Sequence, residues 1–207
     1  MNTDIDEAHQ TVESVISIEP ERAEASGAEL AELSGDAIAI PQHVQDGVHT
    51  VPFYSQFDDI SEPEWQGVSC GIAAVAMLID YYDDAELPDV LLEEGRAAGA
   101  YHDSVGWSHQ GLINLATARG LTGFINTMYN MSMAEATEVL KDELKNGPVI
   151  VSVQYTFTPT NPIPHLVVIR GVKDGMVYYS DPADGERVIT IEKFQSSWKK
   201  RYIAIRE

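Results

Sequence analysis

The chain changes character at Asn146-Gly147-Pro148, and this change limits the fold class more than any other feature. Before it, apolar residues recur with helical spacing. After it, the chain consists of segments rich in β-branched residues, separated by the turn signals Lys173-Asp174-Gly175 and Ala183-Asp184-Gly185. Helices followed by hairpin-linked strands predict an α+β fold with an antiparallel sheet, not an alternating βαβ fold. We predict strands at 149–155, 165–172, 176–180, 187–191 and 202–205.

The predicted helices lie mainly in the first part of the chain. The strongest covers 70–82, because Ile72, Val75, Ala76 and Ile79 would share one buried face. Another begins at Ser132, with Glu135 three residues later in the pattern of a capping box. Further helices are predicted at about 88–98, 108–119 and 192–198.

Charge divides the chain unevenly. The net charge is −20, and residues 1–50 contain 11 acidic residues against one basic residue and no aromatic residue. Such a segment cannot bury enough apolar surface to fold alone. We therefore predict an acidic, flexible segment at 1–47 and a folded domain at 48–207. The segment is expected to be a solvated tail, with an inhibitory or targeting segment that contacts the domain as the alternative.

Composition also excludes several classes of function. The negative charge disfavours nucleic-acid binding, and no apolar run is long enough to span a bilayer. One cysteine excludes an intrachain disulfide and a multi-cysteine zinc site. His102 and His109, with Asp103, are weak metal-ligand candidates that we interpret as surface residues, so we expect no metal or cofactor. The first residues lack a secretory signal pattern, and cytoplasmic localisation is the expectation.

Cys70, the only cysteine, begins the strongest predicted helix. A helix N-terminus favours a thiolate and offers backbone N–H groups to an oxyanion. Gly71 would allow close approach of a substrate. Taken alone, a single cysteine is more often a small buried apolar residue.

Two further residues change that interpretation. His165 opens one predicted strand, and Asp181 ends the next. A hairpin centred on Asp174 would bring these two strand ends roughly opposite each other. An Asp beside a His holds the imidazole in one tautomer and stabilises its charged form, so the three residues together suggest nucleophilic catalysis.

Five blocks occur in order: Val51-Pro52-x-x-Ser55-Gln56, Cys70-Gly71-x-Ala73-Ala74-x-Ala76-Met77, Gly147-Pro148-Val149-Ile150-Val151, His165-Leu166-Val167-Val168 and Asp181-Pro182. Over 51–205 the chain resembles the bacteriocin-processing, double-glycine leader peptidases and their free-standing relatives. These are papain-like cysteine peptidases. The resemblance implies a helical half packed on a sheet, with the active-site cleft between them.

The resemblance also implies roles for individual residues. Cys70 would be the nucleophile, His165 the general base and Asp181 its orienting partner, while an upstream Gln side chain would complete the oxyanion hole. Gln56 matches by context but lies fourteen residues before Cys70, farther than in the transporter-linked peptidases. Gln66, four residues before Cys70, is the alternative.

The expected function is therefore a cysteine peptidase that hydrolyses peptide bonds through a thioester intermediate. No transporter accompanies these blocks, so the resemblance supports the papain-like chemistry more directly than a double-glycine leader substrate. The alternatives are an inactive relative that binds peptides or a protein partner, and an amidase or acyltransferase that uses the same triad.

Overall fold

The structure, a computed structural model, describes residues 44–83 and 85–207. These residues contain six helices, α1 to α6, and a single 3₁₀ turn, Tyr155–Phe157. The helices are Pro63–Gln66, Cys70–Tyr82, Pro88–Ala97, His109–Thr117, Met133–Glu143 and Ile191–Gln195. The strands, β1 to β10, are Val44–Gln45, Val48–His49, Tyr101–His102, Gly106–Trp107, Thr122–Thr127, Val149–Gln154, Pro164–Lys173, Met176–Asp181, Gly185–Thr190 and Trp198–Arg206.

Six of the strands form one antiparallel sheet in the order β5-β10-β6-β7-β8-β9. A tight turn at Asp174 and Gly175 joins β7 to β8, and both residues have positive φ, as hairpin turns of this kind require. Val168 pairs with Ser180, as a hairpin centred on Asp174 predicts, but the pairs nearer the turn are shifted by one residue because of a bulge between Ile169 and Gly171. This register brings the first residues of β7 near the end of β8.

Helices cover both faces of this sheet. On one face, α2, α3 and α4 bury a core that includes Ile72, Leu112, Ile150, Leu166 and Ile203. On the other face, α5 and α6 pack on a second core that includes Leu140, Val151, Val167, Phe194 and Ala204. Neighbouring residues of a strand therefore enter different cores, which explains why β6 and β7 are apolar without alternation.

The α+β class is confirmed, because helices pack on a six-stranded antiparallel sheet. The capping box between Ser132 and Glu135 is present, and the predicted helices lie within a few residues of their predicted bounds. Strand β5 was not predicted: most of its residues are exposed, so it lacks an alternating apolar pattern. The short helix α1, between Phe57 and Cys70, was also not predicted.

Residues 1–43 of the predicted N-terminal segment lie outside the described residues. Residues 44–47 form β1 and its turn to β2. This hairpin lies against β7, where the backbone at Gly47 and Val48 approaches Gly171 too closely for any side chain at 171. In the described part of the chain, no helix combines the length and apolar character needed to span a bilayer.

Candidate active site

Cys70 is the first residue of α2 and is half-buried. Ten of the thirteen residues of α2 are buried, so the helix is anchored in the first core and holds its N-terminus in a fixed position. The preceding Ser69 is also buried, and its hydroxyl donates to the carbonyl of Trp65 (2.8 Å). The thiol therefore lies at the positive end of a rigid helix.

Gly71 has a different role from the one predicted. It is buried, and a Cβ at this position would lie 3.1 Å from the Leu112 side chain and 3.2 Å from that of Leu166. The missing side chain therefore allows α2 to pack against α4 and β7. The prediction that Gly71 opens the site to substrate was wrong.

His165 and Asp181 lie next to each other and are almost completely buried, with exposed fractions of 5% and 4%. His165 Nε2 is 2.6 Å from Asp181 Oδ1, and the same carboxylate oxygen accepts from the backbone N–H of Ala183 (2.9 Å). The ring of Tyr155 contacts the imidazole edge-on at 4.9 Å between centroids. These contacts fix both the carboxylate and the plane of the imidazole.

Cys70 and His165 line the same cleft, and the thiol is close enough to influence the pKa of the imidazole. Because Nε2 faces Asp181, the ring nitrogen left for the thiol is Nδ1. Burial lowers the pKa of His165, but the hydrogen bond to Asp181, the interaction with Cys70 and the negative charge of these two groups outweigh it, and the pKa rises to about 9. The imidazole is therefore protonated at neutral pH.

Gln56 lies at the same site and is 4% exposed. Its backbone N–H donates to the carbonyl of Pro182 (2.9 Å), which connects the Gln56 loop to the residue after Asp181. Its Nε2 donates to the backbone carbonyl of Gln66 (2.7 Å). The Gln66 side chain points elsewhere, since its Nε2 donates to the carbonyl of Ile60 (2.9 Å).

Gln56, Cys70 and His165 line a cleft of about 450 Å³. Among the described residues, Gln66 is not one of those that line it. Four exposed apolar side chains lie along it, namely Phe57, Val68, Val105 and Ile163. The polar and charged side chains that line the cleft include Gln56, Cys70, Asp103, His109, Ser152, His165, Lys199 and Arg201.

The weak metal-ligand candidates do not form a site. His102 is exposed, whereas His109, which we had interpreted as a surface residue, is half-buried and lines the cleft. Burial and the positive charge of Arg201 lower the pKa of His109 to about 4. Within 44–83 and 85–207, no three His, Cys, Asp or Glu residues are arranged to hold a metal ion.

The arrangement of a helix-end cysteine, a strand-end histidine and a buried aspartate agrees with the family comparison. Residues 48–204 match the Peptidase_C39 like family. The chain belongs to this family. The match includes every candidate site residue, and it confirms the resemblance inferred from the sequence blocks.

Three solved structures have the same fold as this C39-like chain. The double-glycine motif protease of an AMS/PCAT transporter, in complex with a leader peptide, is 23% identical (TM-score 0.57) over 79% of this chain and 96% of its own. A Bacillus anthracis protein described as a C39-like peptidase is 20% identical (TM-score 0.57) over 76% and 94%. The peptidase domain of Streptococcus ComA is 19% identical (TM-score 0.52) over 68% and 92%.

No curated protein sequence matches the chain significantly. At these identities, the structural likeness shows the fold of a C39 peptidase domain. The chemistry of this chain must therefore be argued from its own residues.

Proposed function

We propose that this protein is a cysteine peptidase that hydrolyses peptide bonds through Cys70, His165 and Asp181, with Gln56 as an oxyanion donor. The observation that supports this most strongly is the buried His165–Asp181 pair beside Cys70, with Cys70 and His165 both lining one open cleft. A buried His–Asp pair that served only for stability would not need a helix-end thiol as its third member.

The first step is activation of the nucleophile. With a pKa of about 9, His165 holds its proton at neutral pH and donates it from Nδ1 toward the Cys70 sulfur, which is then a thiolate. Asp181 accepts from Nε2–H, so it orients the ring and stabilises the imidazolium. The resulting ion pair resembles the resting state expected of a papain-like enzyme.

Attack of the thiolate on a peptide carbonyl creates an oxyanion. The backbone N–H of Cys70, at the helix start, is one donor. The amide nitrogen of Gln56 carries two protons, and one of them is used on the Gln66 carbonyl. The second is the other oxyanion donor, so Gln66 contributes through its backbone and Gln56 through its side chain.

The remaining steps follow from the ion pair. The His165 imidazolium protonates the leaving amine as the C–N bond breaks, which leaves a thioester on Cys70 and a neutral imidazole. The imidazole then takes a proton from water, the resulting hydroxide attacks the thioester, and the acid product leaves as the thiolate–imidazolium pair forms again.

A peptide substrate fits the shape and surface of the cleft. The exposed Phe57, Val68, Val105 and Ile163 side chains offer apolar contacts on an open surface. One structural relative binds a leader peptide. We propose an extended peptide with apolar residues near the cleaved bond as the substrate of this chain.

A peptide library analysed by mass spectrometry tests this function. We expect the wild type to cleave a subset of peptides, and Cys70→Ala to bind them without cleavage. Release of ammonia from side-chain amides, or transfer of the acyl group to an added amine, would identify an amidase or acyltransferase instead. Binding without any reaction in the wild type would favour the inactive, peptide-binding alternative.

Gln56 and Gln66 offer a matched pair of variants. Gln56→Ala is expected to lower kcat by about 10²- to 10³-fold, the usual effect of losing one oxyanion donor. Gln66→Ala keeps the backbone carbonyl that orients Gln56, so its kcat is expected to remain within a few-fold of wild type. Equal kcat values for the two variants would contradict the role of Gln56.

A further inference from the structure

Strand β10 is irregular at the point where it passes the cleft. Trp198 pairs with Val153 and Tyr202 pairs with Val151, so three residues of β10 lie opposite the single residue Ser152 of β6. Lys200, inside this bulge, has a φ of 48°, and its Nζ donates to the carbonyls of Tyr129 and Met131. Bulges of this kind redirect side chains, and here both neighbours of Lys200 line the cleft.

One of these neighbours, Arg201, has an unusual environment. The described part of the chain contains six arginines, and five of them pair with a carboxylate: Arg96, Arg119, Arg170, Arg187 and Arg206. Arg201 has no carboxylate partner among the described residues. In a chain with 33 acidic residues, an unpaired arginine in a cleft requires an explanation.

The protein contacts of Arg201 leave most of its hydrogen-bonding capacity unused. Its Nη2 donates to Ser152 Oγ (3.2 Å), and its buried Nε has no partner. Ser152 Oγ lies 3.3 Å from His109 Nε2. Because the serine oxygen accepts from Arg201, its own proton is available to a neutral His109. The chain Arg201–Ser152–His109 therefore holds the guanidinium in position without neutralising it.

The charges around this end of the cleft favour an anion. Lys199 lines the same cleft. His109 is the first residue of α4, so the positive end of that nine-residue helix also lies there. Asp103, on the β3–β4 turn, lines the cleft as well, and no ion pair joins it to Arg201 or Lys199 among the described residues.

We propose that Arg201, supported by Ser152 and Lys199, is a subsite for a carboxylate of the peptide that occupies the cleft. A guanidinium presents several N–H groups in a planar fork that matches a carboxylate, and a partly buried site strengthens that contact. The carboxylate is either an Asp or Glu side chain or the C-terminus of the peptide. This inference deepens the proposed function, since it assumes that a peptide occupies the same cleft.

Alkylation of Cys70 tests the subsite without a known substrate, because the chain has one thiol. The probes are iodoacetate, N-iodoacetyl-glycine and N-iodoacetyl-glycylglycine, each compared with its amide. A side-chain probe is N-iodoacetyl-aspartic acid α-amide, compared with the asparagine analogue. Intact mass spectrometry follows the labelling of Cys70, and the readout is the rate for each acid probe divided by the rate for its amide.

We expect Arg201→Gln to lower this ratio by about ten- to a hundredfold for at least one probe, as for loss of a hydrogen bond to a charged group. Arg201→Lys should restore part of it. Lys193→Gln, an exposed lysine on α6 with the same change in charge, should leave it unchanged. A circular dichroism spectrum and a thermal unfolding midpoint close to those of the wild type show that Arg201→Gln is folded.

The outcomes separate the two sources of carboxylate. A loss limited to the terminal acids assigns the subsite to a peptide C-terminus, and a loss limited to the aspartate probe assigns it to an acidic side chain. Equal ratios in wild type and Arg201→Gln for all probes overturn the subsite. If the amide probes label Cys70 equally fast in the wild type and in His165→Ala, the proposed catalytic pair is overturned. The ratio of acid to amide labelling rates would still decide the subsite.

Discussion

Two histidines line one cleft, and their surroundings drive their pKa values in opposite directions. Burial lowers the pKa of both. His165 faces the Asp181 carboxylate and the Cys70 thiol, which raise its pKa to about 9. His109 faces Arg201 across Ser152, and this positive charge adds to the effect of burial and brings its pKa to about 4.

The comparison shows that acidic partners can reverse the effect of burial on the pKa of a histidine, whereas a basic neighbour adds to it. At neutral pH one histidine is a cation paired with two acidic groups, and the other is a neutral hydrogen-bonding partner of a serine. The same cleft therefore has a site that can transfer protons near neutral pH and a site that can only orient neighbouring groups.

The largest expected difference is in turnover. His165→Ala should lower kcat/KM for a cleaved peptide by about 10⁴-fold or more, since it removes the general acid and base. His109→Ala is the matched variant. Its kcat/KM should stay within about tenfold of wild type, because His109 lines the cleft but, in the described part of the chain, hydrogen-bonds with Ser152 and not with a catalytic residue. Steady-state hydrolysis measures both. Equal losses in the two variants would contradict the division of roles.

Asp181→Asn should bring the pKa of His165 closer to that of His109. It removes the negative charge and the acceptor of Nε2–H, so the pKa of His165 should fall and kcat/KM should drop by about 10²-fold or more. The control is Asp184→Asn, which changes an exposed carboxylate paired with Arg187. NMR titration of the His165 ring gives the pKa directly. A pKa that stays near 9 in Asp181→Asn would be inconsistent with this explanation.

The two histidines should also lower the free energy of unfolding at opposite ends of the pH range, His165 at high pH and His109 at low pH. The pKa of His165 is raised from 6.5, so its contribution to the free energy of unfolding is complete below pH 6.5 and is lost as pH rises through about 9. The pKa of His109 is lowered from 6.5, so stability is lost as pH falls from 6.5 toward 4.

Urea unfolding at several pH values measures these changes, which should be on the order of 1 kcal/mol or more each. The alkaline loss should disappear in His165→Ala, and the acid loss should be smaller in His109→Gln. If the alkaline loss persists in His165→Ala, other groups are responsible for it.

The smallest effect concerns Arg201. Replacing it with Gln removes the positive charge next to Ser152, so the pKa of His109 should rise part of the way toward 6.5. Burial is the larger cause of the lowered pKa and remains, so a complete return is not expected. A ring titration by NMR measures the change, with Lys193→Gln as the charge-matched control. No change in His109 would mean that burial alone sets its pKa.

Much of this arrangement could be predicted because it depends on local signals. The start of α2 at Cys70, the Ser132–Glu135 capping box and the Asp174–Gly175 turn each follow from a few adjacent residues. The turn joins β7 to β8, and the hairpin brings His165 near Asp181 after a bulge between Ile169 and Gly171 shifts the register by one residue.

The features that were not predicted depend on residues far apart in the chain. Strand β5 is paired only with β10, about eighty residues later, and its exposed side chains give no apolar pattern. Gly71 makes room for Leu112 and Leu166, which come from two other elements. The sequence predicts His109 as a surface residue, whereas in the fold it lies beside Ser152 of β6, which contacts Arg201 of β10.

The rate of Cys70 alkylation by iodoacetamide as a function of pH, in wild type and His165→Ala, tests the central claim most directly. With an ion pair, labelling of the wild type is fast at or below neutral pH and falls sharply in the variant. Slow labelling in both proteins, increasing only near pH 8.5 as for an ordinary thiol, would contradict the proposed thiolate–imidazolium pair.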